Sequence, residues 1–231
     1  SDLDSDGTIA DMGAYFYDQS TPPSGGNHSL SFDGVDDYVN IGNTESLTIN
    51  GDITISAWVN FSDFDTSTPT VISKITPGEL IGYGIEKNSI HNKLSFWVGD
   101  GTAFREITSN ELSENTWYYV VCTNDGSTSK LYIDGSLVSS GESGYPAGPT
   151  GDLKIGIHST ESQSFRYWDG FIDELAVWNV ALAESQIQSY MSTPPTGNET
   201  GLVGYWNFNE GTGTTLTDQT SNSNDGTIVG A

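Results

Sequence analysis

The stretch SLSFDGVDDYVNIG, residues 29–42, contains two alternating segments around an acidic turn. Leu30 and Phe32 point to one side of an extended chain with serines on the other, and alternation resumes at residues 38–41. This pattern predicts two strands joined as a hairpin. The turn between them carries three carboxylates, Asp33, Asp36 and Asp37. Carboxylates held this close repel one another unless they share a cation, so the turn is also a candidate cation site.

Two further motifs follow in order, ITISAWV at 53–59 and WDGFIDELAVWN at 168–179, and a short helix-like segment comes after them. Together with SFDG at 31–34, they resemble the laminin-G-like, concanavalin-A-like jelly-roll family of secreted bacterial proteins. The resemblance runs from about residue 29 to residue 192. It implies an all-β fold, a two-sheet antiparallel β-sandwich with one short helix, and an aromatic core residue at Trp168.

Composition agrees with this fold class. The 231 residues include 27 glycines and 11% aromatic residues, which fits many short strands joined by turns around a bulky core. Strand-like segments recur along the chain with turn residues between them, which is typical of a sandwich. The one helical pattern is 183–191, where Ile187, Tyr190 and Met191 share a face. Five tryptophans in strand patterns are expected in the core: Trp58, Trp97, Trp117, Trp178 and Trp206.

The charge excludes some partners. The chain has 31 acidic and 7 basic residues, a formal net charge of −24. Nucleic acids and anionic membrane surfaces would be repelled, and no apolar run predicts membrane insertion. The acids fit a solvated surface, calcium binding, or both. The single cysteine, Cys122, lies in an apolar run and is expected to be a buried small hydrophobe without a disulfide role.

Two segments are predicted, an acidic N-terminal segment and linker at 1–26 and the sandwich at 27–231. The segment 201–231 resembles one that precedes the SFDG motif in the family, yet here it follows the helix. It either folds back to complete this sandwich or begins a next repeat, and we expect fold-back because an orphan strand pair is unstable alone. The chain starts without Met, so we expect it to be part of a longer protein with neighbouring domains.

The DLDSDG sequence at 2–7 places alternate carboxylates before a glycine, which is typical of a calcium loop. Its candidate ligands are Asp2, Asp4, Asp6 and Asp11. The spacing departs from the EF-hand, because Gly13 stands at the twelfth position. The alternative is a frayed acidic terminus.

A second candidate calcium site combines the turn acids with Asp173 and Glu174. In a jelly roll the first and last core strands lie side by side, so Asp33 and Asp173 are expected to approach each other. No His/Cys cluster competes for zinc or copper. The alternative is that Asp33 and Asp173 each cap a turn through backbone N–H groups. A third oxygen-rich loop contains Asp218, with an ordinary Asx turn as its alternative.

Catalysis finds little support. Glycoside hydrolysis needs two carboxylates at a controlled separation, and the adjacent Asp173 and Glu174 should point to opposite faces of a strand. Ligand binding remains, because sugars stack on exposed aromatic rings. The candidate ligand-binding residues are Tyr145, His158, Phe165, Arg166 and Tyr167. The alternative is that these are scattered surface residues.

Function rests largely on the resemblance. It implies a non-catalytic, calcium-stabilised carbohydrate-binding or adhesion module of a secreted or cell-surface protein, with a polysaccharide or cell-surface glycan as partner. The alternative is a structural spacer repeat without a ligand, and a glycan-active enzyme is third. A fold of this kind hosts many roles, so the site must decide between them.

Overall fold

The computed structural model describes residues 15–18, 28–62, 68–88, 91–160 and 167–230, the first range by its backbone alone. These residues form sixteen strands, a 3₁₀ turn at Glu45–Leu47 and one helix, α1 (Glu184–Ser192). The strands are β1 (Tyr15–Asp18), β2 (His28–Asp33), β3 (Tyr38–Gly42), β4 (Ile53–Phe61), β5 (Thr70–Ile75), β6 (Ile81–Lys87), β7 (Leu94–Asp100), β8 (Phe104–Thr108), β9 (Trp117–Asn124), β10 (Thr128–Ile133), β11 (Ser136–Glu142), β12 (Leu153–Ile155), β13 (Asp169–Trp178), β14 (Leu202–Trp206), β15 (Thr215–Leu216) and β16 (Gly226–Val229).

The strands form two antiparallel sheets, which confirms the fold class predicted from the sequence. The first sheet runs β1-β2-β13-β4-β9-β10-β11, and β14 pairs with the second half of β13 beside the end of β2. The second sheet runs β15-β16-β3-β12-β5-β6-β7-β8. Among the described residues, no helix combines the length and apolar character that a membrane span requires.

The acidic turn of the opening motif connects the two sheets. β2 belongs to the first sheet and β3 to the second, so the predicted hairpin is wrong. Alternation shows which side of a strand is buried, but it does not show which strand lies alongside. Residues 33–37 therefore form a corner between the sheets, where Gly34 has a φ of +76°.

The main core lies between the sheets. Leu30, Phe32 and Val39 contribute to it from the two strands that flank the corner. Trp168 is fully buried there, as the resemblance implied. Cys122 is also fully buried in this core, and burial raises the pKa of its thiol well above the ordinary value. It packs as a small hydrophobe, which confirms the interpretation from the sequence.

A second apolar cluster covers the outer face of the first sheet. On β4, Ile55, Ala57 and Val59 point into the main core, while Trp58 packs on the other side. Helix α1 closes this cluster with Ile187, and its other members include Tyr119, Trp178 and Tyr205. Tyr190 and Met191 pack against it, which confirms the predicted apolar face of the helix. Trp58 and Trp178 are thus buried outside the main core.

The segment after α1 adds strands to both sheets. β14 pairs with β13 in the first sheet, and β16 pairs with β3 in the second. Trp206 and Phe208 are fully buried in the main core. In this structure, residues 202–229 therefore pack with the sandwich that precedes them.

Candidate functional site

An open cavity of about 390 Å³ lies on the outer face of the second sheet. Strand β7 explains its position: Leu94, Phe96 and Val98 pack into the core, so Ser95 and Trp97 point away from it. The described lining residues come from four adjacent strands and the loop after β12, and they are Ile75, Glu86, Trp97, Phe104, Glu106 and His158.

Two glycines let the aromatic rings of the cavity approach the sheet. A Cβ atom at Gly84 would lie 2.6 Å from Cζ2 of Trp97, and one at Gly99 would lie 2.7 Å from Cε1 of Phe104. The two rings meet edge to face, with centroids 5.3 Å apart and an interplanar angle of 83°. Phe104 is 41% exposed. The glycines thus create space that the two rings fill, and part of the aromatic surface stays open to a ligand.

Polar groups flank the rings. The Ser95 hydroxyl donates a 2.5 Å hydrogen bond to Oε1 of Glu106. The Asn88 amide donates to the Ser95 hydroxyl at 3.3 Å and to the same Glu106 oxygen at 3.4 Å. This network orients the Glu106 carboxylate at the wall of the cavity, where it can accept hydrogen bonds from ligand hydroxyls.

His158 adds another polar group beside the Trp97 ring. The His158 ring centroid lies 6.1 Å from that of Trp97, and Nδ1 of His158 is 2.8 Å from the Thr160 hydroxyl. Nε1 of Trp97 is buried without a hydrogen-bond partner among the described residues. An aromatic wall with a few convergent polar groups is the usual composition of a small-molecule site.

The acids of the sheet-connecting corner form a separate cluster. Asp33, Asp36 and Asp37 each offer a carboxylate oxygen within 4.8 Å of the others. Asp33 Oδ1 also accepts hydrogen bonds from the Val35 N–H at 2.8 Å and the Asp36 N–H at 3.4 Å. Oδ2 of Asp37 accepts one from the Asp33 N–H at 3.0 Å. The corner therefore combines turn-capping hydrogen bonds with oxygens grouped closely enough for a cation.

Asp173 lies away from this corner, so its predicted approach to Asp33 is wrong. β2 and β13 are neighbours as expected, but their register places Asp33 opposite Asp169. Asp173 is four residues further along β13, about 13 Å at the usual rise of a strand. The resemblance implied the right pair of strands, but it did not set their register.

Asp173 and Glu174 form a buried acidic pair under the second apolar cluster. The pairing of β13 with β4 shifts register between Asp173 and Ala176, and Glu174 has a φ of +50°. This bulge interrupts strict alternation, because Ile172 and Leu175, the residues on either side of the pair, both belong to the main core. The expectation that the two acids point to opposite faces is therefore wrong.

Burial controls the protonation of this pair. It raises the pKa of Asp173 well above its ordinary range, and the neighbouring Glu174 adds to the effect. Burial raises the pKa of Glu174 to about 7, although its hydrogen bond from the Tyr205 hydroxyl opposes the shift. Both acids are covered by protein, which favours a structural role over calcium binding.

Asp218 anchors the loop before β16. Its Oδ1 accepts hydrogen bonds from the N–H groups of Tyr205 at 3.0 Å and Thr220 at 2.9 Å. Its Oδ2 accepts from the Thr220 hydroxyl and the Asn224 N–H, both at 2.8 Å. Protein donors engage both carboxylate oxygens, so the structure favours the Asx-turn alternative over the predicted metal role.

The described members of the predicted ligand site contact different elements. Tyr145 is 48% exposed, and its ring lies over Gly126 in the turn between β9 and β10. Burial, with the nearby Tyr38 and Asp36, raises the pKa of Tyr167. His158 alone lines the cavity. The remaining predicted ligands, Asp2, Asp4, Asp6, Asp11, Phe165 and Arg166, lie outside the described residues.

Much of the cavity lining was not predicted from the sequence. Trp97 was assigned to the core, and Glu86 and Glu106 were not selected as ligand-binding residues. The alternation along β7 could have placed Trp97 outside the main core, because its neighbours Phe96 and Val98 both point into that core. The contribution of four strands to one cavity could not be predicted, because it depends on the order of the strands in the sheet.

A second cavity of about 380 Å³ lies at one end of the sandwich. Loop residues such as Glu45, Asp52 and Asn222 line it, and its described lining contains no aromatic side chain. A site for a ring-shaped ligand is therefore better supported at the first cavity.

Known proteins share this architecture. A laminin G family model, described as the concanavalin A-like lectin/glucanases superfamily, matches residues 33–188. No curated protein matches the sequence. A protein of Bacteroides ovatus with a proposed role in carbohydrate binding has a TM-score of 0.66 and 18% identity, over 89% of this chain and 62% of its own.

Two other solved structures are similar. Domain 4 of AbnA, an extracellular GH43 arabinanase of Geobacillus stearothermophilus, was solved with arabinotriose. It has a TM-score of 0.60 and 16% identity, over 79% of this chain and 82% of its own. The CBM40 of a Ruminococcus gnavus sialidase, bound to α2,3-sialyllactose, has a TM-score of 0.55 and 11% identity, over 71% and 95%. At these identities the likeness shows a shared fold.

Proposed function

This chain belongs to the concanavalin A-like lectin/glucanase superfamily, and from that premise we propose that it is a non-catalytic carbohydrate-binding module of a secreted or cell-surface bacterial protein. The observation that carries the proposal is the cavity where Trp97 and Phe104 meet beside Glu106 and His158. Saccharides present apolar C–H faces and a rim of hydroxyls, and this cavity offers a partner for each.

Binding would use the rings and the polar groups together. The exposed surface of Phe104 and the neighbouring indole would stack on the C–H face of a sugar ring. The Glu106 carboxylate, already oriented by Ser95, would accept hydrogen bonds from hydroxyls.

The similar structures support a saccharide as ligand and a location outside the cell. The arabinanase domain was solved with a neutral trisaccharide, and its parent enzyme is extracellular. The sialidase CBM40 was solved with sialyllactose. This chain spans about three fifths of the Bacteroides protein, so the activity of any longer protein that contains it stays part of the proposal.

Calcium binding at the corner is a second part of the proposal. Calcium prefers carboxylate oxygens at about 2.3–2.6 Å, so two ligands on opposite sides of the ion are separated by about twice that distance. The oxygens of Asp33, Asp36 and Asp37, all within 4.8 Å of one another, fit this requirement. Because β2 and β3 lie in different sheets, a cation held there would tie the two layers together.

Hydrolysis is the other activity for which the cavity offers a specific observation, because Glu86 and Glu106 both line it. We favour binding because Glu106 is already bonded by Ser95 and Asn88. Release of reducing ends during incubation with a bound glycan would overturn the non-catalytic part of the proposal.

A glycan array probed in calcium tests the function. Wild-type protein should retain at least one saccharide class, and Trp97→Ala should lose that retention while keeping the fold. Trp117→Ala is the matched control, because Trp117 lies on the first sheet, where its ring packs 6.2 Å from Phe171. Equal loss in both variants would remove the cavity as the site. No retention by the wild type would favour the structural spacer.

A further inference from the structure

The charge of the cavity points to a class of saccharide. We infer that the cavity accepts neutral or amine-bearing saccharides and excludes acidic ones. This inference rests on the proposed function and concerns the same site. Its basis is that two carboxylates, Glu86 and Glu106, line the cavity, while no lysine or arginine does so among the described lining residues.

Among the described residues, two cations on the same sheet contact other groups. Arg105 precedes Glu106 on β8, but its Nε lies 3.6 Å from Oδ2 of Asp100. Lys154 lies on β12, separated from β6 by β5, and its ammonium sits 5.3 Å from the centroid of the Tyr38 ring. Neither residue lines the cavity.

The rest of the chain has the same sign as the cavity. With 31 acidic and 7 basic residues, the protein supplies a negative background rather than a compensating one. A uronate or sialate carboxylate entering the cavity would approach two glutamates within the range where like charges repel. Proteins usually recognise ligand carboxylates through the paired donors of arginine, and the described lining offers none.

Neutral and amine-bearing sugars meet no such penalty. Hydroxyls donate hydrogen bonds to carboxylate oxygens, and an ammonium group would be attracted to Glu86 and Glu106. The Ruminococcus CBM40 shares the fold and was solved with an acidic sugar. The fold therefore does not select the charge of the ligand, and in this chain the cavity lining is expected to do so.

The test compares saccharides of different charge at pH 7 in low salt. The neutral probes are oligomers of arabinan, galactan, xylan, mannan and β-glucan. Chitosan oligomers carry amines, and oligogalacturonate and sialyllactose carry carboxylates. Neutral or amine-bearing probes should be retained at least about tenfold more tightly than acidic ones. An acidic probe as the tightest ligand would overturn the inference and leave the proposed function standing. No retention of any probe would overturn both.

Two further measurements test whether the carboxylates of the cavity cause the discrimination against acidic saccharides. Raising the salt should screen the repulsion, so retention of the acidic probes should rise toward that of the neutral ones. The double variant Glu86→Gln with Glu106→Gln should narrow the same difference at low salt. Glu184→Gln, on helix α1 against the other sheet, is the control that also removes a carboxylate, and it should leave the difference in retention unchanged. Unchanged discrimination in the double variant, with the fold intact by thermal melting, would overturn the assignment to these carboxylates.

Discussion

Gly84 lies so close beneath Trp97 that no side chain fits between them. A Cβ atom at position 84 would be 2.6 Å from Cζ2 of the indole and 2.8 Å from the carbonyl oxygen of Ile72 on the next strand. Real Cβ atoms do not approach other heavy atoms so closely. The missing side chain on β6 therefore sets where the indole of β7 rests, and with it the wall of the cavity.

Gly84→Ala should damage both the sheet and the site. The added methyl group overpacks the contact with Trp97 and the backbone of β5, so the free energy of unfolding should fall by about 1–3 kcal/mol. Glycan retention should weaken because the indole must move. Gly51→Ala is the control, because a Cβ atom there meets nothing within 4 Å. Denaturant unfolding measures the first effect, and equal stability of the two variants would contradict it.

Calcium should raise the melting temperature through the corner. An ion that binds only the folded state stabilises it by about 2.7 kcal/mol at 100 times its dissociation constant. Asp36→Asn should abolish the response because it removes one of the clustered carboxylates. Asp173→Asn should leave it intact, since Asp173 lies outside the cluster. Melting curves of the wild type that coincide in calcium and in chelator would leave the corner acids as turn caps.

The buried acidic pair should make stability fall with pH. The pKa of Glu174 rises to about 7 in the folded state, so the folded protein binds more protons than the unfolded chain above about pH 4.5. The resulting stabilisation is complete below that pH and is lost as pH rises through 7. Its size is on the order of 3 kcal/mol. Asp173, with its raised pKa, acts in the same direction.

Glu174→Gln isolates this effect. Other acids act oppositely: hydrogen bonds lower the pKa of Asp100 to about 2 and also lower that of Asp125, so their contributions are lost as pH falls. The difference in unfolding free energy between Glu174→Gln and wild type should therefore shift in favour of the variant from pH 5 to pH 8. Parallel pH profiles for Glu174→Gln and wild type would refute the prediction.

Removing residues 201–231 should strongly destabilise the sandwich. The deletion takes away Trp206, Phe208 and Leu216, all fully buried in the main core. At about 2 kcal/mol for each large apolar side chain, the loss is comparable with the whole stability of many domains. The shortened protein should aggregate or melt far below the full chain. Identical melting temperatures would assign the segment to a next repeat.

The sequence allowed the fold class to be predicted because alternation and turn residues are local signals. The helix face around Ile187 and the buried Trp168 and Cys122 were predicted for the same reason or from the family resemblance. Which strands pair with each other was harder to predict from the sequence. The corner at 33–37 looks like a hairpin turn in sequence, and only the pairing of β2 with β13 and of β3 with β12 shows that the chain changes sheets.

Most of the candidate site could not be predicted from the sequence for a related reason. Glu86, Trp97 and Glu106 lie on three different strands, and they meet because β6, β7 and β8 are neighbours. The register of β13 against β2 likewise separated Asp33 from Asp173. Of the predicted ligand-binding residues that the structure describes, His158 lines the cavity. Its neighbour Trp97 was assigned to the core because the strand pattern around it is strongly apolar.

The buried Cys122 is a natural probe for opening of the sandwich. Its thiol is sealed between the sheets and is the only one in the chain, so a thiol-reactive dye can label it only when the sandwich opens. The labelling rate then reports the population of open molecules without any engineered probe. A glycan or cation that binds only the closed form would slow labelling by the factor 1 + [L]/Kd. The labelling rate of this one residue would thus report the binding of any ligand that prefers the closed form.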